Sequence, residues 1–402
     1  MKKKAIIERL SRNAYIRRLI DRLIIHFQHS EICDINRDLT LPSQMSVLFV
    51  YKSIVGVDVL NSYHALYYHL NQMIRVMIEK GWSIDLCDCY DKEAVNRLCN
   101  KDYKIIVGQG PTYLDFCNKY PNAKKVLFCT ENNPVVVEQK FKERVSYFSE
   151  RHPSLKKYTL KRRVMFFTED HLNVSDEIIL MNSEYNEQSF KKYFARPFRI
   201  NVNAITNKEF NLTKLNNNTN QIRKNFVVFG CTGFIHKGID ILLDAFKELP
   251  DYNLFIYGIH RGEKALFNKL KSSNTIDCGF VTVASHEFLT NVVSKSLFVI
   301  LPSCSEGMSS GIATCMTHGL IPIITKDCGF DDNPDISILP DYSVETIVKT
   351  IKNLADIEDD ELRKRRLRII NYAQEHFSIS KFSESFADII TSISNSQSLT
   401  NN

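Results

Sequence analysis

The sequence is poor in the residues that interrupt regular structure, with 14 glycines and 11 prolines among 402 residues. This content excludes collagen-like and low-complexity classes. No apolar run approaches the ~20 residues that a membrane-spanning helix needs, so the sequence does not predict an integral membrane protein. Because 44% of the residues are hydrophobic and 24% are charged, the composition is typical of a folded globular protein of about two to three domains.

Paired cysteines are also lacking. The 11 cysteines include no C-x-x-C pair, which argues against the commonest zinc and redox spacings. Scattered, odd-numbered thiols are typical of a reducing compartment, and the first residues lack the long apolar core of a signal peptide. We therefore expect a cytoplasmic protein that holds no metal.

The formal net charge of +6 is confined to one segment. Residues 1–27 contain two acidic residues, Glu8 and Asp21, and eight basic ones: Lys2, Lys3, Lys4, Arg9, Arg12, Arg17, Arg18 and Arg22. The remainder of the chain is therefore neutral overall. Nucleic-acid binding needs a basic surface on the folded domain, so we expect no nucleic-acid partner.

Residues 5–27 have the apolar spacing of an amphipathic helix, with arginines on the other flank. One interpretation is a helix that lies on an anionic membrane surface, which would place the protein peripherally on the inner face of the membrane. The alternative is a helix that docks on the protein's own body or on a second subunit. We assign residues 1–44 to this basic helical extension.

From residue 45 onwards, short apolar runs alternate with helical patterns. Such runs indicate parallel sheets that are covered on both faces. One series fills residues 45–205 and a second fills 226–378, and the Asn- and Lys-rich stretch 206–225 between them is typical of a linker. Residues 379–402 are expected to form a terminal helix that packs on the amino-terminal domain. The predicted fold class is α/β, with two Rossmann-like, doubly wound domains facing a cleft.

The individual elements follow from the same patterns. The strand-type runs are 45–51, 82–88, 104–110, 124–130, 176–183 and 196–205 in the first series, and 226–230, 253–258, 274–280, 297–303 and 320–325 in the second. Helices are predicted over about 63–80, 238–249, 263–271, 285–295, 360–378 and 379–393.

The first motif with chemical content lies in residues 226–250. An apolar run is followed by Gly230 and Gly233, then by His236-Lys237-Gly238 and an amphipathic helix. Glycines let the backbone approach a bulky anion, and a helix N-terminus presents free N–H groups. Lys237 adds a positive charge at the same place, so the motif predicts a grip on a phosphate or diphosphate.

The second motif lies in residues 297–325. An apolar run ends at Pro302, and the polar loop that follows carries Ser303 and Glu306. Ser309, Ser310 and Gly311 then open another helix, which is a second candidate anion site. Alternatively, Glu306 only caps that helix.

Together these motifs resemble the carboxyl-terminal domain of family-4 glycosyltransferases, retaining enzymes of the two-Rossmann GT-B fold. The amino-terminal half matches that family only in layout. The resemblance rests on the order and spacing of Gly230…Lys237-Gly238, Gly258, Cys278-Gly279-Phe280-Val281, Pro302-Ser303…Glu306-Gly307 and Gly319…Pro322.

The resemblance implies roles for individual residues. Lys237 would bind the donor diphosphate, with His236 near the place of a family arginine, and Glu306 would reach the transferred sugar. Gly279 and Val281 would pack against the nucleotide base. The backbone cradle for the diphosphate would consist of Gly307, Met308, Ser309, Ser310 and Gly311, beside Gly230 and Gly233.

The implied activity is that of a retaining, hexosyltransferase-type enzyme. It would use a nucleotide-sugar, such as a UDP- or GDP-sugar, as co-substrate and would need no metal. The implied acceptor is a glycan, polysaccharide or lipid-linked precursor, as in polysaccharide biosynthesis.

Two positions depart from the family pattern. The second family glutamate, which holds the ribose, would fall at position 314, where this sequence has Thr314. Glu131 follows the run 124–130, where relatives often carry a histidine close to the sugar. The alternative for Glu131 is a solvated loop acid. Thr314 keeps open a non-catalytic nucleotide-sugar-binding or scaffolding homologue, and an epimerase or phosphorylase on the same scaffold is a further alternative.

Overall fold

The computed structural model describes residues 30–41, 44–52, 65–98, 101–158, 166–215, 219–230 and 233–398. The helix predicted over residues 5–27 therefore lies outside the described residues. Two sheets with flanking helices form two compact units. Within the described ranges, no helix combines the length and the apolar character that a membrane crossing requires.

The first sheet has seven strands in the order β1-β3-β2-β4-β5-β6-β7. Strands β2 to β5 pair in parallel, and only the short β1 is shown to run antiparallel, against β3. Residues of β2, β3 and β4 are almost all buried, as the continuous apolar runs predict. The strands are β1 (Ile32–Ile35), β2 (Ser46–Tyr51), β3 (Ser83–Asp88), β4 (Ile105–Gly108), β5 (Lys124–Cys129), β6 (Glu177–Leu180) and β7 (Phe198–Arg199).

The first unit comprises the described parts of residues 1–129, 166–179 and 383–402. Within this unit the ammonium of Lys80 donates a hydrogen bond to Thr391 Oγ1 at 2.6 Å, so the last helix of the chain is tied to the first described one. The helices are α1 (Ala65–Glu79), α2 (Ala94–Arg97), α3 (Pro111–Lys119), α5 (Glu169–Val174) and, from residue 383 onwards, α14 (Ile379–Ser398).

The second sheet has six strands in the order β10-β9-β8-β11-β12-β13, and all its pairs are parallel. Its central strands carry the apolar core of the second unit, in which Phe226, Ile256 and Ile300 are inaccessible to solvent. The strands are β8 (Asn225–Phe229), β9 (Asn253–Tyr257), β10 (Thr275–Gly279), β11 (Phe298–Leu301), β12 (Ile321–Thr325) and β13 (Ser337–Leu339).

The second unit comprises the described parts of residues 130–165 and 180–382. A π-helical turn (Leu289–Val293) continues α10. The α-helices are α4 (Pro134–Arg151), α6 (Glu184–Glu187), α7 (Thr219–Ile222), α8 (Ile239–Lys247), α9 (Lys264–Leu270), α10 (His286–Phe288), α11 (Ser310–Thr317), α12 (Val344–Ala355) and α13 (Asp359–His376).

The two units interleave along the chain. Helix α4 comes from the first series of elements but belongs to the second unit, because Phe148 is part of its core and Phe141 and Val145 pack against that core. The predicted linker 206–225 is also partly structured. Asn207 is buried, and its side-chain amide donates to the carbonyls of Val283 and Ser285 at 2.7 and 2.8 Å.

Ten of the eleven predicted strand runs each contain a strand of at least four residues. The exception is 196–205, where only β7 is regular. Strands β1 and β13 and helices α2 to α7 and α12 have no counterpart among the elements that were predicted individually. The helix expected over 285–295 is a short α-helix that widens into the π-helical turn.

Candidate functional site

The two glycine- and serine-containing motifs leave adjacent strands of the second sheet. From β8 the chain moves outwards through β9 to β10, whereas β11 starts on the other side of β8 and leads to β12 and β13. The sheet order therefore reverses between β8 and β11. Loops at the carboxyl ends of strands at such a reversal form the usual ligand crevice of an open α/β sheet.

Lys237 and Glu306 meet at this point. The Lys237 ammonium lies 2.7 Å from Glu306 Oε1, and the Ser303 hydroxyl donates to the same oxygen at 2.8 Å. Both partners of the ion pair are only partly buried, with 17% and 13% of their side chains exposed. The structure thus brings the two sequence-predicted residues together, with a cation and a carboxylate that solvent and a ligand can reach.

The loop after Glu306 is packed so tightly that only a glycine fits at its centre. A Cβ on Gly307 would lie 2.3 Å from the carbonyl oxygen of Thr130, and the sulfur of Met308 accepts a hydrogen bond from Val202 N at 3.3 Å. The amide of Ser309 donates to the Cys328 carbonyl at 3.1 Å. These contacts fix the backbone that leads into α11.

Helix α11 begins directly after Ser309. A Cβ on Gly311 would lie 3.4 Å from the Phe229 carbonyl oxygen, so the first turn of α11 packs against the end of β8. The first N–H groups of a helix have no partner within the helix and carry its positive dipole end. Ser310 and Gly311 therefore occupy the part of the site that suits an anion.

The loop between β8 and α8 differs from its predicted role. Gly230 and Gly233 do adopt positive φ angles, of 79° and 98°. The amides of Gly233 and Phe234, however, donate to the buried carboxylate of Glu263 at 3.1 and 2.8 Å. The amides of Gly233, a predicted donor-site residue, and of its neighbour Phe234 are thus bound by the protein itself.

A second buried carboxylate lies at the start of α8. Asp240 lies in its first turn, is fully buried and forms an ion pair with Arg151 of α4. Burial raises the pKa of the Asp240 carboxyl, and the Arg151 charge opposes that rise. Of the residues predicted in this loop, Lys237 is the one whose charge faces the candidate site.

His236 is buried behind that site. Its Nε2 lies against the carbonyl of Ser305, which requires that nitrogen to be the protonated one. Its Nδ1 lies 3.2 Å from Cys304 Sγ and so accepts from the thiol. In this conformation His236 fixes the 303–306 loop, and a direct contact with a donor phosphate would require the loop to move.

Thr314 is directed into the protein as well. It lies on α11, is 3% exposed, and its hydroxyl accepts from the amide of Ile205 at 3.2 Å. The Thr314 carbonyl accepts from Nδ1 of His318 at 2.7 Å, and Nε2 of His318 accepts from the amide of Asn207 at 3.0 Å. Burial lowers the pKa of His318 to about 4, so the ring is neutral near pH 7.

Glu131 is buried, with 9% of its surface exposed, which excludes the solvated-loop alternative. It belongs to the second unit and follows Thr130, whose carbonyl touches the position of Gly307. Glu131 is therefore the next residue after one whose backbone contacts the loop that carries Glu306.

Gly279 and Val281 follow β10, further along the sheet edge. Gly279 has a φ of 72°, and Val281 lines a shallow cavity of about 400 Å³. The lining also includes Phe280, which is 78% exposed, and Tyr257. The lining is mixed, because aromatic and aliphatic side chains stand beside Glu287, Asn291 and Lys295, and its aromatic faces suit the flat face of a nucleotide base.

The sequence analysis missed three charged residues around the site: Glu263, Asp327 and Arg144. Asp327 accepts the Glu306 amide on its carbonyl at 2.8 Å and forms an ion pair with Lys140. Burial raises the pKa of the Asp327 carboxyl, and Lys140 opposes that rise. The sequence does contain a signal for Arg144. Phe141, Val145 and Phe148 have the spacing of an apolar helix face, and Arg144 is a charged residue on that same face.

The described part of the chain contains no group of three or more His, Cys, Asp or Glu side chains arranged to hold a metal ion. The site combines the ammonium of Lys237, the carboxylate of Glu306 and the positive dipole end of α11. The ammonium and the helix end suit an organic anion.

Comparison with known proteins gives one family and a set of similar folds. Residues 213–376 match the family Glycosyl transferases group 1. A search of the curated proteins gives no match.

Solved structures similar to the chain have low sequence identity. Sucrose-phosphate synthase from Thermosynechococcus elongatus aligns with a TM-score of 0.59 at 13% identity, over 88% of this chain and all of that one. Anabaena HepE, solved with UDP and glucose, aligns with a TM-score of 0.56 at 12% identity, over 87% of this chain and all of HepE. TarM aligns with a TM-score of 0.50 at 15% identity, over 75% of this chain. This chain spans 57% of the length of TarM. At these identities the similarity shows a common fold, GT-B. The chain therefore has the GT-B fold, and its residues 213–376 match the family Glycosyl transferases group 1.

Proposed function

We propose that this protein is a glycosyltransferase that moves a sugar from a nucleotide-sugar donor to a glycan, polysaccharide or lipid-linked acceptor, with retention of anomeric configuration. The observation that carries the proposal is the Lys237–Glu306 ion pair beside the N-terminus of α11, at the reversal of strand order in a group 1 domain. UDP-sugars are the first donors to test, because HepE was solved with UDP and glucose.

The proposed mechanism assigns the donor diphosphate to Lys237 and the first turn of α11. Negative charge develops on the diphosphate as the glycosidic bond breaks, and a fixed cation and helix dipole stabilise that charge. When the diphosphate binds, the Lys237 ammonium exchanges Glu306 Oε1 for a phosphate oxygen. Glu306 then remains held by Ser303 and accepts a hydrogen bond from a sugar hydroxyl.

The other predicted residues complete the donor site in this proposal. Val281 and the aromatic cavity receive the base, and the backbone of Gly307 and Met308 lines the diphosphate. Glu131 faces the transferred sugar. No metal takes part, because Lys237 and the helix N-terminus supply the positive charge.

The experiment is a panel of nucleotide-sugars offered to the purified protein, with release of free nucleoside diphosphate as the readout. We expect release with one donor, faster when an acceptor glycan is added, and the product linkage read by NMR gives the stereochemistry. Release from no donor would contradict the proposal, and an inverted product would contradict retention alone.

The second candidate is a nucleotide-sugar-binding protein without transfer. It is favoured by Thr314, whose hydroxyl is used by the Ile205 amide and cannot supply the charged ribose contact of a carboxylate. This candidate predicts that a nucleotide binds while no donor is consumed, so the same panel together with a binding measurement separates the two.

We also propose that residues 1–27 hold the protein on the inner, anionic face of the membrane. Each basic residue near such a surface is worth about 1 kcal/mol, and salt screens this attraction. Full-length protein should sediment with anionic liposomes at low salt, and a chain lacking residues 1–27 should not. A full-length protein that stays in the supernatant would contradict the membrane proposal and would favour docking on protein.

A further inference from the structure

Helix α4 contacts three parts of the candidate site from one face. The Phe141 ring lies 6.1 Å from the ring of His236, and Lys140 forms an ion pair with Asp327. Arg144, one turn further along, donates from Nη1 to the carbonyl oxygen of Pro302 at 2.9 Å. The helix is therefore the common neighbour of the segments that carry Lys237 and Glu306.

Arg144 lies where these two segments meet. Pro302 directly precedes Ser303, and Gly238 directly follows Lys237. A Cβ on Gly238 would lie 2.7 Å from Arg144 Nη1 and 2.7 Å from the Pro302 carbonyl oxygen. The glycine therefore leaves the space in which the guanidinium reaches that carbonyl.

The burial of Arg144 is costly for packing alone. Its side chain is completely inaccessible to solvent, and its Nε and Nη2 have no hydrogen-bond partner among the residues that the structure describes. Its guanidinium carbon lies 4.2 Å from the centre of the Tyr342 ring, which stabilises the charge in part. A buried charge with unpaired donors is destabilising. An apolar side chain at this position would therefore fill the core with a smaller loss of folding free energy.

We infer that Arg144 is a positioning residue for the Lys237–Glu306 pair. By holding the Pro302 carbonyl against Gly238, it sets the separation of the two loops and hence the place of the ammonium relative to the carboxylate. This inference rests on the proposed function, because it concerns how that site is kept ready for a donor diphosphate.

The test compares Arg144→Met and Arg144→Lys with a matched control, Arg151→Met. Arg151 lies on the same helix and forms ion pairs with Asp240 and Asp244, but it makes no contact with Pro302 among those described. For each full-length variant, kcat, the donor KM and the melting temperature are measured, with kcat determined well below the lowest melting temperature.

We expect Arg144→Met to lower kcat at least about tenfold, since a small misplacement of reacting groups has large effects on rate. Arg144→Lys, whose ammonium can reach the same carbonyl, should recover a large part of that loss. Arg151→Met should lower the melting temperature while leaving kcat close to wild type.

The inference is overturned if Arg144→Met keeps wild-type kcat, or if Arg144→Lys is as impaired as Arg144→Met at equal stability. Should Arg144→Met not fold, Arg144→Gln replaces it in the same comparison with Arg144→Lys, and the same outcomes support or overturn the inference. A wild-type protein that consumes no donor would instead overturn the proposed function.

Discussion

At the scale of single residues, one ion pair joins two loops that are 69 positions apart in the sequence. Glu306 Oε1 accepts from both Lys237 and Ser303, so the carboxylate keeps a neutral partner when the ammonium moves to a ligand. This arrangement gives each side chain a separate expected effect on substitution.

Replacing Lys237 with alanine should lower sugar transfer by about 10²-fold, the scale of losing one donor that stabilises transition-state charge. The matched control is Lys124→Ala, because Lys124 also forms an ion pair, at 2.9 Å with Glu177, and lies on β5, outside the two loops. Initial rates at saturating donor would show the difference. Equal rates for the two variants would remove Lys237 from the diphosphate site.

Replacing Glu306 with glutamine should reduce transfer sharply but leave nucleoside diphosphate affinity unchanged or tighter. The reason is that the carboxylate competes with the diphosphate for the Lys237 ammonium, whereas its proposed ligand is the sugar. Calorimetric titration of the variant with UDP or GDP checks this. A loss of affinity that parallels the loss of transfer would assign Glu306 to the nucleotide or to the fold.

Replacing Thr314 with glutamate should destabilise the protein by about 3 kcal/mol, the scale of an uncompensated buried charge. The site of the second family glutamate is 3% exposed here and already hydrogen-bonded to Ile205. Thr314→Ser, which keeps the hydroxyl, should behave like wild type. If Thr314→Glu were stable and bound nucleotide more tightly, the ribose contact would follow the family pattern after all.

At the scale of elements, the C-terminal end of α11 depends on the neutral ring of His318. That ring accepts from Asn207 and donates to Thr314, and it packs between Phe210 and Phe288 at 4.8 and 5.0 Å. A protonated ring could not accept from the Asn207 amide. Folding therefore favours the neutral form.

Stability should consequently fall as the pH drops from about 6.5 to about 4, because the unfolded chain binds the proton at His318 in this window and the folded chain does not. The full effect of this shift is about 3 kcal/mol. Urea unfolding at pH 7 and pH 5 should show the loss, and His318→Gln should flatten it. An unchanged slope in His318→Gln would contradict the assignment.

The strands and the central motifs were predictable from the sequence because they are local patterns. Runs such as 226–230 and 297–303 are continuously apolar, and the loops that follow them carry Lys237 and Glu306. The exposed edge strand β1, in which Asp34 has a φ of 58°, has no such pattern. The binding of the Gly233 and Phe234 amides by Glu263 was not predictable either, since these contacts join residues about 30 positions apart.

At the scale of the whole molecule, the sequence patterns indicated two α/β domains, and the family resemblance implied the GT-B fold. Neither indicated which unit each helix joins. Helix α4 has an apolar face that would suit either sheet, and its place in the second unit follows from tertiary contacts of Phe148 and Arg144. Amphipathic periodicity specifies that a helix face is buried, not what buries it.

The central claim is that the second unit binds the diphosphate of a nucleotide-sugar, and nucleoside diphosphate binding by the full-length protein tests it most directly. Thermal unfolding is followed with UDP, GDP and ADP at millimolar concentration, and calorimetry gives the affinity of any that stabilises. We expect at least one to stabilise the folded state, by about 2.7 kcal/mol at one hundred times its Kd. The absence of both stabilisation and binding heat with all three, in protein that is demonstrably folded, would contradict the account.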